Sequence, residues 1–448
     1  MNSLLKLIIL IVSLGGLLFG FDMAVVSGVI PLVKKYFDLS PLQEGLFVSS
    51  ALIGCITGVI LAGKWSDRWG RKSLLIIAGI FFLLSAIGCS VSGDFVFLLI
   101  SRGSSGLGVG IASIVVPLYL AEISPAKLRG RTVTFYQLAV TFGILIAYLS
   151  NALVLKQNLL LYDGEYWRMM FLLGAIPALL FCLGLFFVPE SPRWLLQKGR
   201  ENEAQEVVDR LKLQEISAIS VVEQQSSESL LKPLYRRALI LGLLLPLFSQ
   251  LSGINAIIYF GPTILLQSGL SLTGSLQAQI FFGVANVLFT CIAIWKVDTW
   301  GRRPLYLLGS AGAAISLFLT GWFLGSGVHE NGWLSMLSIL SFLLFFAFSI
   351  GPLKFVVASE IFPAAIRGRA MALSVMVMWI ADALVGQLTP LMLASWGTTL
   401  TFWFFSGCCT LALICVWRML PETKGKRLEE IETYWRERYK GKKQVPSN

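Results

Sequence analysis

Charge is what this sequence has least of. Only 14% of its 448 residues are Asp, Glu, Lys or Arg, against roughly 25% in an ordinary soluble domain. Histidine occurs once, at His329, with no nucleophile or metal constellation near it in sequence, so an enzyme is not expected. The seven cysteines (Cys55, Cys89, Cys182, Cys291, Cys408, Cys409, Cys415) sit in apolar segments without zinc or redox spacing. They read as small core filler. There is no Walker A loop, so the chain encodes no ATP drive of its own. No cofactor or metal is implied. A cleaved signal peptide is not expected either: the first apolar run is too long, lacks an A-x-A site and contains Asp22. The net charge of +11 does not point to nucleic acid, because the basic residues lie in short clusters between apolar runs.

What is abundant is apolar sequence: 56% of the chain is hydrophobic and the mean hydropathy is +0.76. A membrane-spanning helix needs about 20 mostly apolar residues. Twelve such runs can be drawn: 5–32, 44–63, 73–92, 95–120, 132–155, 168–188, 237–266, 276–296, 303–326, 333–358, 369–394 and 399–420. The fold class expected is an all-α membrane protein, twelve transmembrane helices in two pseudo-symmetric six-helix bundles in a lipid bilayer, with short cytoplasmic helices. The divisions are 1–188, a polar segment 189–236, 237–420 and a tail 421–448. One set of loops carries most of the Lys and Arg, while the other holds Lys34, Lys35, Lys156 and Arg168. By the positive-inside rule both termini and the central segment are cytoplasmic. In the central segment, Ser191-Pro192 is a good helix start. The following "RWLLQKGRENEAQEVVDRLK" has alternating charge and apolar spacing suited to a short amphipathic helix.

The two halves repeat. "GKWSDRWGRK" (63–72) returns as "WKVDTWGRRP" (295–304), with Asp67 and Asp298 231 residues apart. "PLYLAEISPAKLRGR" (117–131) returns as "PLKFVVASEIFPAAIRGR" (352–369), and "PESPRWLLQKGR" (189–200) as "PETKGKRLEE" (421–430). Parallel duplicated halves are a known transporter plan, with the substrate site near the midplane at the repeat interface. The repeated motifs place Asp67, Glu122, Glu190, Asp298, Glu360 and Glu422 among Arg68, Arg71, Arg129, Arg193, Arg302, Arg303 and Arg367, all at the cytoplasmic helix ends. These charges predict a gate latch formed when that side is closed; the plainer reading is topology and helix capping.

Within the runs, the uncommon polar residues are Asp22, Arg102, Gln137, Gln250, Asn255, Asn286, Lys354 and Asp382. Ionisable groups at membrane depth are functional candidates by default. Asn255 and Tyr259 are four apart and share a helix face. Pro246 and Gly253 would loosen that helix, which is tolerated where backbone lines a cavity. Amides that both donate and accept, with an aromatic face, suit a sugar. Gln137, Gln250, Asn255, Asn286 and Trp379 supply that chemistry; the plainer reading is interhelical hydrogen bonding.

At "GRK" after Asp67, "PLYLAEISPAKLRG", "PESPRWLLQKGR", "QLSGINAIIYF", "DTWGRRP", "SEIFPAAIRGRA" and "PETKG", the chain resembles the sugar porter family of the major facilitator superfamily. Its start, "GLLFGFDMAVVSG", looks like the bacterial proton-coupled pentose and hexose symporters of that family. The resemblance implies monosaccharide uptake by alternating access in a bacterial inner membrane, by a chain functional as a monomer. It implies substrate contacts from Gln137, Gln250, Asn255, Tyr259, Asn286, Phe355, Trp379 and Asp382, and proton coupling through Asp22 with Arg102. Passive facilitators of the family usually carry an amide at the Asp22 position, and they are the alternative. A sugar sensor on the same scaffold usually has a longer signalling tail. Several positions depart from the family pattern: Ser249 replaces one of a Gln pair, Phe355 a Trp, Asp382 an Asn, and Ile144 a second Gln of the symporters. Met378 stands where a polar residue is common, and Lys354 is extra. Lys354 and Asp382 either compensate each other, or Asp382 accepts from substrate hydroxyls, or one of the two meets a charged substrate.

Overall fold

Backbone N–H and C=O groups find no water in hydrocarbon, so apolar runs of this length must satisfy them within helices. The computed structural model does so. It describes residues 3–124, 129–160, 165–211, 230, 232–267, 269–325, 332–363, 366–424, 430–431, 433 and 435. Among them, twelve helices are long and apolar enough to cross a membrane, from Ser3–Phe37 to Gly397–Met419, one for each expected run. Local chemistry sets several starts. The second span, Pro41–Trp69, opens with a reciprocal capping box between Ser40 and Gln43 and with Pro41 in the first turn. Asp94 caps the fourth, Phe95–Ile123, by accepting from the Phe97 N–H at 2.8 Å.

Three spans are interrupted. The seventh breaks between Leu251 and Ile254, where Gly253 takes φ +81° with the Phe405 ring against it. The sixth breaks at Gly174. In the tenth, Phe346–Ile350 forms a π turn just before Gly351-Pro352. Pro352 has no N–H to return to the preceding turn, and the wider turn absorbs the mismatch.

The helices cluster into two compact units. One comprises 1–220 with 256–287 and 386–394; the other comprises 221–255, 288–385 and 395–448. In the first unit the closest pairings are span two with four and span one with five. Small residues permit this. A methyl on Gly20 would collide with the Val140 carbonyl, and one on Gly143 with the Leu17 carbonyl. The duplication reappears in packing: span three lies on span six in the first unit, and span nine on span twelve in the second.

The central segment holds two short helices, as the fold class expected. Pro192–Gln197 is capped by Ser191, and Glu201–Leu211 follows a turn at Gly199, φ +70°. The left-handed glycine ends the first helix after six residues. Trp194, Leu195 and Ala204 then close a small core between the two pieces. The Trp194 indole N–H donates to the Asp67 carbonyl at 3.0 Å, which ties this segment to the end of span two. His329 lies outside the described residues.

A branched side chain at Gly253 meets both a left-handed backbone and the Phe405 ring, 2.7 Å from where its β-carbon would sit. Gly253→Val should therefore lower stability in detergent by roughly 1–3 kcal/mol. Gly63→Ala, a helical position with open space around it, should leave the thermal melt unchanged or raise it slightly.

Candidate functional site

Asp22 lies inside the first helix, and its carboxylate is 13% exposed. Arg102 of the fourth span, at 2% exposure, donates from one terminal nitrogen to Asp22 Oδ1 at 2.8 Å. The Ser105 hydroxyl is 3.1 Å from Asp22 Oδ2 and 2.8 Å from the Arg102 carbonyl, so its single proton can serve either. Ser105 was not expected at this site. Its signal was the three-residue step from Arg102, which puts both on one helix face. The guanidinium lies 5.9 and 5.8 Å from the centres of the Phe47 and Phe171 rings, which meet edge to face beside it. Such ring contacts suit a weakly hydrated planar cation. Arg102 Nε is buried without a hydrogen-bond partner among the described residues. The pair is thus held by one nitrogen rather than by a two-point fork. Beside Asp22 is a cavity of about 20 Å³ lined also by Phe21, Ser85 and Gly174, enough for one water by the ~10–15 Å³ criterion.

The other expected substrate residues fall into both units. In the second, the break at Gly253 sets Gln250 and Asn255 on either side of a kink. Asn255 Nδ2 donates to Gln250 Oε1 at 3.1 Å and to Asp382 Oδ1 at 2.6 Å. Asp382 is 1% exposed and Trp379, one turn earlier, is equally buried. Lys354 Nζ donates to Ser249 Oγ at 3.3 Å and lies 5.5 Å from the Phe355 ring centre. Lys354 and Asp382 are near enough to interact electrostatically, but the hydrogen bonds that hold them run to Ser249 and Asn255.

In the first unit, Tyr259 is buried and its hydroxyl points to Met23 Sδ at 3.3 Å, next to Asp22. Gln137 is exposed and Asn286 half-buried. One turn beyond Asp22, Ser27 donates to Gln279 Oε1 at 2.8 Å, both fully buried. Ser49 likewise donates to Gln387 Oε1 at 2.7 Å. Neither pair was expected from sequence, where single Ser and Gln residues in apolar runs carry no periodic signal.

The repeated charges form one cluster within each unit. In the first, Arg71 grips Glu122 from Nε and a terminal nitrogen at 3.1 and 3.0 Å. It also reaches Asp67, which is 75% exposed, at 3.3 Å. Glu190 accepts from the backbone N–H groups of Arg71, Lys72 and Ser191. In the second unit Arg302 holds Glu360 at 3.2 and 3.1 Å, and the Thr423 hydroxyl donates to the same carboxylate at 2.6 Å. Glu422 accepts from the backbones of Arg302, Arg303, Thr423 and Lys424. Arg303 also donates to the Trp417 carbonyl, and Arg367 to that of Phe362. Arg68 is exposed and Arg193 half-buried, and neither joins the hydrogen bonds of these clusters. The side chains of Arg129 and Asp298 lie outside the described residues.

A family model described as "Sugar (and other) transporter" matches residues 8–435. The arabinose-proton symporter of Bacillus subtilis (strain 168) is 39% identical over 94% of this chain and 93% of its own length. The D-xylose-proton symporter of Escherichia coli (strain K12) is 36% identical over 97% and 96%. Among solved structures, the partially occluded inward-open xylose transporter XylE from E. coli superimposes with a TM-score of 0.82 at 34% identity. That match covers 95% of this chain and all of the other.

The two repeat-related carboxylates differ in character. Burial pushes the Glu190 carboxyl above the usual range despite its backbone donors. Burial acts the same way on Glu422, but four backbone N–H groups outweigh it and hold that carboxyl below the usual range. Glu422 ionised therefore stabilises the fold at neutral pH, and this contribution fades as pH falls through its lowered folded value. Glu422→Gln should lower the melting temperature at pH 7 and have little effect once both forms are neutral in acid. Glu190→Gln should be neutral or stabilising at pH 7. Thermal melts from pH 3 to 8 check both.

Proposed function

The chain belongs to the sugar transporter family, and from that premise we propose that it takes up a monosaccharide together with a proton by alternating access. The observation that carries the coupling is the buried Asp22–Arg102 pair. A carboxylate at membrane depth is costly unless paired or protonated. Paired with Arg102, it remains charged and awkward to enclose. When Asp22 takes a proton from outside, it no longer needs Arg102, the single-nitrogen contact opens and the loaded protein can close. Loss of the proton on the inner side restores the pair. The water-sized cavity beside Asp22 supplies a place from which a proton can arrive.

We assign substrate contact to Gln250, Asn255, Phe355 and Trp379 of the second unit, with Asp382 holding the Asn255 amide, and to Gln137, Tyr259 and Asn286 of the first. Amides and rings at these positions suit the hydroxyls and C–H faces of a sugar. The Arg71–Glu122 and Arg302–Glu360 clusters brace the helix ends on which a cytoplasmic latch would act. The bias of Lys and Arg supports cytoplasmic termini in a bacterial inner membrane. A passive facilitator is the second reading, and the same pair argues against it, since passive members of the family usually carry an amide where this chain has Asp22.

Asp22→Asn in proteoliposomes tests the coupling. The variant should lose pH-driven accumulation while retaining sugar exchange. If it still concentrates its substrate against a gradient, Asp22 is not the coupling site.

A further inference from the structure

A neutral sugar has no need of an ammonium group, yet Lys354 places one on the tenth span. Charged side chains at membrane depth persist where they meet a counter-charge or serve a ligand. The nearby carboxylate is Asp382, but its Oδ1 is taken by Asn255 at 2.6 Å and the residue is 1% exposed. Lys354 itself is half-buried. Its three N–H donors make one hydrogen bond among the described residues, to Ser249 Oγ at 3.3 Å. Asp382 therefore steadies the cation electrostatically from within the unit, and the cation is the member left within a ligand's reach.

The donor inventory points the same way. Both hydrogens of the Asn255 amide are engaged, one by Gln250 and one by Asp382. Within this Gln250–Asn255–Lys354 cluster, Gln250 Nε2 and Lys354 Nζ remain as donors and Asn255 Oδ1 as an acceptor. A sugar hydroxyl both gives and takes hydrogen bonds, whereas a carboxylate only takes them, and takes them best from a cation. We propose that the substrate is an acidic monosaccharide, a sugar carrying one carboxylate such as a hexuronate, and that Lys354 receives that group. The proposal rests on the proton-coupled sugar reading above and has an electrical consequence. One monoanion entering with one proton moves no net charge. One neutral sugar with one proton moves a positive charge inward.

The test uses the full-length protein in proteoliposomes with radiolabelled glucuronate, galacturonate, xylose and glucose. A pH gradient and a membrane potential are imposed separately. The pH gradient should concentrate a uronate, and an interior-negative potential alone should not. Lys354→Met should cut uronate uptake at least about 30-fold, as truncating one member of a buried charged contact does, while Lys354→Arg should keep most of it. The potential arm needs only the wild-type protein, so it stands even if Lys354→Met fails to fold. If the pH gradient concentrates a neutral sugar and no uronate enters or competes, the acidic-substrate inference is overturned and the coupling stands. If a uronate merely equilibrates, indifferent to the pH gradient, the coupling is overturned and the substrate class stands.

Discussion

An ionised side chain removed from water must find its compensation inside the protein, and this constraint organises the molecule. Asp22 meets Arg102 at 2.8 Å, Arg71 meets Glu122 at 3.0 Å, and Arg302 meets Glu360 at 3.1 Å. Each pair joins two different spans. The two at the arginine-rich ends are gripped by two guanidinium nitrogens each, so they suit a fixed brace. The pair at membrane depth is held by one nitrogen, with an orphaned Nε behind it. A contact made that way is the one suited to being opened.

In the second unit, polar chemistry gathers where the helices are broken. Gly253 interrupts the seventh span between Gln250 and Asn255, so the two amides meet across the break and not along a regular helix face. The π turn before Gly351 precedes Lys354 and Phe355 by a few residues. Irregular backbone at membrane depth is tolerated where it lines a cavity or is enclosed by protein. Elsewhere the spans are regular and closely approached, as at Gly20 against Val140 and Gly143 against Leu17.

Duplication gave both units the same arginine–glutamate cluster and then allowed them to diverge. The first unit carries the carboxylate–arginine pair, which suits a proton. The second carries the amides, Trp379 and the Lys354–Asp382 charges, which suit a ligand. Even the related Glu190 and Glu422 differ, because one more backbone donor and less burial reverse the direction in which the carboxyl is pushed.

Hydropathy alone determined the twelve spans, because an apolar run of that length has no other stable home. The repeated motifs determined the duplication and the charge-rich helix ends, because a repeat is a property of sequence. The importance of Asp22 was legible for the same reason, since a lone acid in an apolar run demands an explanation. Tertiary structure decided the partners. Ser105 completes the Asp22 site, Arg71 rather than Arg68 engages Glu122, and Asp382 is held by Asn255 while Lys354 turns to Ser249. None of these can be read along one strand of sequence, because each depends on how helices far apart in the chain are rotated against one another. That rotation is set by the close fit of small residues and rings, not by any single residue's preference.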